Sequence, residues 1–161
     1  MTRGCARRAD SSAAIAGLGL PSEGFLVAVA AASGLGDRVR VLHDLDDADF
    51  LAWLAASDVV VDLRHPHRGE VSGSLARAMQ AGRPTIVSGV GTYLDVSAEH
   101  VHHVAPGYVE PAELAAAIRR LAEPAVGRAM GEAAARFLAQ AGCDVGLVDL
   151  DAERAERVAG R

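Results

Sequence analysis

The chain has 161 residues, half of them hydrophobic, 4% aromatic and 23% charged, with a formal net charge of −5. That length suits one domain with its own core, and apolar mass made of Ala, Val and Leu suits helices packed on a parallel sheet, not a disordered chain. All 16 basic residues are arginine, which excludes a Walker A loop, a pyridoxal Schiff base and a protein-kinase site, since each needs a lysine amine.

Residues 1–20 lack clear periodicity and read as a loose N-terminal arm. Arg3, Arg7 and Arg8 precede a small, apolar stretch from Ser11 to Ser33, as in an export signal. Asp10, Pro21, Glu23 and several glycines break that pattern, so a cytoplasmic chain is expected. Cys5 and Cys143 lie far apart without metal-ligand spacing and read as free thiols of a reducing compartment. The acidic balance and scarce rings argue against a nucleic-acid partner.

From Pro21, a cap at Ser22, Glu23 in the first turn and an apolar stripe of Phe25, Leu26 and Val29 predict a helix that Gly34 and Gly36 close. Val39 to Leu42 reads as a short strand, and Asp46 or Asp47 caps a helix carrying Phe50, Leu51 and Leu54. Val59 to Leu63 is a continuous, β-branched run, the mark of a buried strand. A loop from Arg64 to Val71 leads to a helix over 72–81, then to a buried strand from Pro84 to Ser88 and a turn at Gly89-Val90-Gly91.

A last strand covers His102 to Ala105, and two helices follow. Leu114, Ala117, Ile118 and Leu121 line the first, and Val126, Met130, Ala133, Phe137 and Leu138 line the second. Residues 143–161 form a charged tail or a surface helix. Strands alternating with helices imply right-handed βαβ units, and so an α/β, Rossmann-like, doubly wound parallel sheet with flanking helices over residues 21–142. In such sheets ligands bind at the carboxyl ends of the strands, which directs attention to the loops Arg64 to Ser74 and Ser88 to Asp95.

The first of these loops is dense in polar groups and ends at a helix N-terminus, where unpaired backbone N–H groups attract anions. Arg64 and Arg68 offer charge for phosphate, Glu70 an acceptor for hydroxyls, Ser72 and Ser74 hydroxyls of their own. Gly69 and Gly73 let the backbone approach a ligand. A phosphorylated, polyhydroxylated ligand fits this set; alternatively, Ser72 only caps the helix and Glu70 only favours its dipole.

The order of motifs carries a family resemblance. Val59-Val60-Val61 is followed by Gly69-Glu70-Val71-Ser72-Gly73-Ser74, then Ala78-Met79-Gln80-Ala81-Gly82, Arg83-Pro84-Thr85-Ile86-Val87-Ser88 and Gly89-Val90-Gly91. This series resembles the donor-binding C-terminal half of GT-B glycosyltransferases, family 4-like (glycosyltransferases group 1), over about residues 37 to 140. The resemblance implies a nucleotide-sugar donor as substrate, and no cofactor is expected. It implies that Glu70 accepts from donor-sugar hydroxyls, that backbone N–H groups of Val71, Ser72 and Gly73 line the sugar, and that Ser74 approaches the diphosphate.

By the same resemblance His43, Asp44 and Leu45 fall where the nucleotide base is held. Where the family often has a second glutamate for the ribose, this chain has Arg77, which offers a phosphate contact or a structural ion pair instead. The acceptor-binding N-terminal half has no counterpart here, and residues 1–36 show no recognisable opening strand. The resemblance therefore implies an incomplete, truncated GT-B domain that transfers a hexosyl group only with a separate N-terminal acceptor domain. The alternative is a non-catalytic fragment acting as a binding or self-association module, and a homodimer is expected under either reading.

Other chemistries have weaker sequence support. His65-x-His67 and His100-x-His102-His103 lack a carboxylate at ligand spacing, so no metal is expected. Asp44, Asp46, Asp47 and Asp49 suit a helix start better than a magnesium site of receiver type, which needs a lysine. No Gly-x-Ser-x-Gly elbow is present.

Overall fold

The computed structural model describes residues 13–15, 32, 34, 38–42, 44–64, 72–107 and 111–143. The chain divides into two compact units, residues 1–46 and 47–161, a boundary that falls inside the 21–142 stretch expected to be one domain. In the first unit, β1 (Ala13–Ile15) pairs in parallel with β2 (Val39–Val41), Ala13 opposite Val39. These three positions of the stretch read as a loose arm are thus strand. A strand of Ala-Ala-Ile is too short to display a period and too rich in Ala to signal β structure. Of the helix expected from Pro21, only Ala32, helical, and Gly34, at φ +68°, fall within the described residues. The charged tail beyond Cys143 lies outside them.

The second unit runs α1 (Asp47–Ala56), β3 (Val60–Asp62), α2 (Gly73–Gln80), β4 (Thr85–Ser88), a 3-10 turn (Gly91–Asp95), β5 (His102–Val104), α3 (Pro111–Leu121) and α4 (Pro124–Gln140). Asp47 and Asp49 occupy the first turn of α1, where the helix dipole favours carboxylates. β3, β4 and β5 form a parallel sheet in that order, with Asp62 opposite Val87 and Ser88 opposite Val104. Parallel neighbours need a crossover, and α2 provides it between β3 and β4.

All four residues of the central strand β4 are buried. Its successive side chains point to opposite faces. Val87 joins Leu75, Met79, Tyr93, Val101 and Ala134 on one face, whereas Ile86 joins Val104, Ala117 and Leu121 on the other. α2 thus covers one face and α3 the other, which makes the sheet doubly wound as the sequence alternation requires. Among the described residues no helix is long and apolar enough to cross a membrane.

α4 packs against this layer through small residues. Gly127, Gly131, Ala134 and Ala135 are its buried positions, one stripe at helical spacing. Among them Gly131 meets the turn that closes α2. There Gly82 at φ +64° takes the left-handed conformation, its N–H donates to the Met79 carbonyl, and the Arg83 N–H donates to the Ala78 carbonyl. That pair of bonds is a Schellman ending, which satisfies carbonyls the helix leaves open. A Cβ at Gly131 would run into the Gly82 carbonyl, and one at Gly127 into the Leu121 carbonyl.

Gly131→Ala is therefore expected to lower stability by about 1–3 kcal/mol, the usual cost of overpacking. Gly73→Ala serves as the control, because a Cβ at Gly73 meets nothing within 4 Å. Denaturant titration of both variants checks this; an unchanged midpoint in Gly131→Ala would contradict the close helix–turn contact.

Candidate functional site

The three parallel strands of the second unit end on one edge, and polar side chains gather there. β3 ends in Asp62, and the chain leaving it is tied to the end of β4 by the Arg64 backbone N–H, which donates to Ser88 Oγ at 2.9 Å. Beyond Ser88, the Gly89 N–H donates to the Val104 carbonyl at the end of β5 at 2.8 Å. The 3-10 turn then brings Tyr93 back under the edge, 1% exposed.

Asp62 is the centre of this arrangement. Its Oδ2 accepts from Ser72 Oγ at 2.6 Å, Ser74 Oγ at 2.9 Å and Tyr93 Oη at 3.0 Å. Its Oδ1 lies 3.7 Å from Arg64 Nε. Arg64 in turn donates from Nε to Tyr93 Oη at 2.8 Å and from Nη2 to Ser72 Oγ at 3.3 Å. Ser72 also accepts from the Leu75 N–H at 3.1 Å, so it is the N-cap of α2. The capping role and the polar-cluster role coexist in one hydroxyl: its proton goes to Asp62 and its lone pairs serve the helix and the guanidinium.

Of the residues read from sequence, Arg64, Ser72 and Ser74 come together here, and Gly73 is exposed in the first turn of α2. Arg77 sits on the same helix but turns to α1, with Nη1 3.0 Å from Asp47 Oδ1 and its guanidinium carbon 5.6 Å from the Phe50 ring centroid. Of the two roles open to it, the ion pair is the one formed. Arg68, Gly69, Glu70, Val71 and His43 lie outside the described residues. Asp44 and Leu45 belong to the first unit, Asp44 exposed at φ +51°.

The histidines part company. His100 lies in a turn before β5, so it does not share a strand face with His102; its ring stacks on Phe137 at 4.7 Å. His103 places Nε2 2.9 Å from the Tyr93 carbonyl, bracing the 3-10 turn. Burial holds the His102 imidazole below its ordinary range, Arg120 and His103 add to this, and Glu113 opposes it.

Asp62, Ser88 and Tyr93 were not singled out from sequence. Asp62 ends a run of valines and reads as strand, yet a carboxylate at the carboxyl end of a parallel strand is itself a signal. Tyr93 lies in the second loop that the topology marks. Its partnership with Asp62, 31 positions away, carries no local pattern.

A family model described as "Glycosyl transferases group 1" matches residues 5–124. The match extends upstream of residue 37, so residues 1–36, where no opening strand was recognised, fall largely within it, β1 included. No curated protein matches the chain. Among solved structures, sucrose-phosphate synthase from Thermosynechococcus elongatus is similar, with a TM-score of 0.55 and 28% sequence identity over 73% of this chain. The match covers 32% of that chain, so this one spans about a third of the length of the structure it resembles.

Burial pushes the Tyr93 phenol above its ordinary value of 10.0; Ser72 and Arg64 oppose the shift, and the Asp62 charge reinforces it. A raised folded-state value means that Tyr93 contributes stability fully present below pH 10, lost as pH rises through the folded-state value. With no lysine to titrate in that range, the effect should be legible. Denaturant titrations at pH 8 and pH 11 are expected to show a smaller alkaline loss in Tyr93→Phe than in the parent chain; equal losses would contradict it.

Proposed function

The chain belongs to the group 1 glycosyl transferases, and on that footing we propose that it binds a nucleotide-diphosphate sugar as donor for hexosyl transfer. The observation that supports this most is the polar edge at the carboxyl ends of β3 and β4. There Arg64 and Ser72, the N-cap of α2, come together. Anionic groups are favoured at such a place, because helix N–H groups and a fixed guanidinium act together.

In this reading Arg64 and Arg68 face the diphosphate, and Glu70 accepts from the sugar hydroxyls. The backbone N–H groups of Val71, Ser72 and Gly73 line the sugar, with Ser74 beside the diphosphate. Arg77, engaged with Asp47, steadies α2 against α1 instead of meeting the donor. Catalysis then rests on stabilising the leaving diphosphate and positioning the acceptor, without a protein nucleophile. A separate N-terminal domain supplies the acceptor side, and an exposed free Cys143 suits a reducing, cytoplasmic setting.

Titration calorimetry against UDP-glucose, GDP-mannose and ADP-glucose, with Glu70→Ala alongside, tests the reading. Selective binding of one donor, weakened about tenfold or more in Glu70→Ala, is the expected result. No binding of any of the three at millimolar concentration would overturn it and leave the chain a non-catalytic binding or self-association module.

A further inference from the structure

We propose that Asp62 sets donor affinity without touching the donor, by positioning Arg64; this rests on the donor-binding reading above. Arg64 carries a long side chain whose rotamer freedom must be given up when it grips an anion. Contacts that already restrain it include Tyr93 Oη at 2.8 Å, Ser72 Oγ at 3.3 Å and Asp62 Oδ1 at 3.7 Å. The first two depend on the third residue. Tyr93 and Ser72 each have one hydroxyl proton, and each spends it on Asp62 Oδ2. With those protons turned to the carboxylate, both hydroxyls are oriented with lone pairs toward the guanidinium.

Exposure separates the two roles. The Asp62 side chain is 13% exposed and that of Arg64 31% exposed. A carboxylate facing a diphosphate directly would repel it; held behind an arginine, it orders the cation that attracts it. Asp62 is therefore a positioning residue. Asp62→Asn keeps the shape but brings in an amide N–H₂, so either the hydroxyls or Arg64 meet a donor where they had an acceptor.

The test is a double-mutant cycle on the full chain, by calorimetry with whichever of UDP-glucose, GDP-mannose and ADP-glucose binds tightest. Asp62→Asn is expected to weaken binding about tenfold, the loss typical of a disturbed charge-assisted bond, and to change nothing further in an Arg64→Gln background. Tyr93→Phe, which removes one acceptor from Arg64 and leaves the carboxylate in place, should behave in the same non-additive way. It decides the matter if Asp62→Asn fails to fold by circular dichroism. Equal losses in both backgrounds, or tighter binding by Asp62→Asn, would overturn the positioning role while leaving donor binding intact. A parent chain that binds none of the three donors would remove both.

Discussion

One carboxylate oxygen, Asp62 Oδ2, accepts from Ser72 and Ser74 at the start of α2 and from Tyr93 in the turn after β4. The start of α2 and the turn after β4 are thereby tied to the carboxyl end of β3 at a single point. Hydrogen bonds to a charged acceptor are stronger than neutral ones, and in a half-buried place they hold hydroxyl orientation as well as position. The N-cap of α2, the seat of Tyr93 and the restraint on Arg64 all follow from that one group.

The sheet beneath can carry this cluster because its central strand, β4, is buried on both faces. Ile86 and Val87, adjacent in β4, are each fully buried in a different hydrophobic cluster. α4 closes over the turn after α2 at Gly131, so the backbone of Gly82 and the helix approach without a side chain between them. Rigid strand ends and a capped helix give the polar edge a fixed geometry, and loops of such sheets acquire function from that rigidity.

Much of this layout is legible in the sequence. The Pro84 to Ser88 run forms the buried strand β4 as its pattern says, and the β-branched run at Val59 to Leu63 holds β3, although Val61 and Leu63 are exposed. α3 and α4 form where their periods put them, but α4 buries Gly127, Gly131, Ala134 and Ala135 while Val126 and Phe137 of its apolar stripe stay exposed. Ser72 announces itself as a cap, and the series of motifs from Val59 to Gly91 points to the family that the comparison then shows. Short or distant features were not legible. β1 is three residues long and gains its identity only by pairing with β2, 26 positions on in register. The 3-10 turn at Gly91–Asp95 has no apolar period of its own, and the Asp62–Tyr93 bond joins residues that only the parallel sheet brings together.

In this group 1 glycosyl transferase chain, we propose, donor diphosphate and sugar settle on the edge organised by Asp62. Backbone amide NMR on the ¹⁵N-labelled chain, titrated with UDP-glucose, GDP-mannose and ADP-glucose in turn, addresses that claim most directly. The account predicts that one donor shifts the resonances of Arg64, Ser72, Gly73, Ser74 and Leu75, while those of the distant α3 face at Ile118 and Arg119 stay in place. Shifts that gather on α3, with Arg64 and Ser72 to Leu75 unmoved, would contradict it.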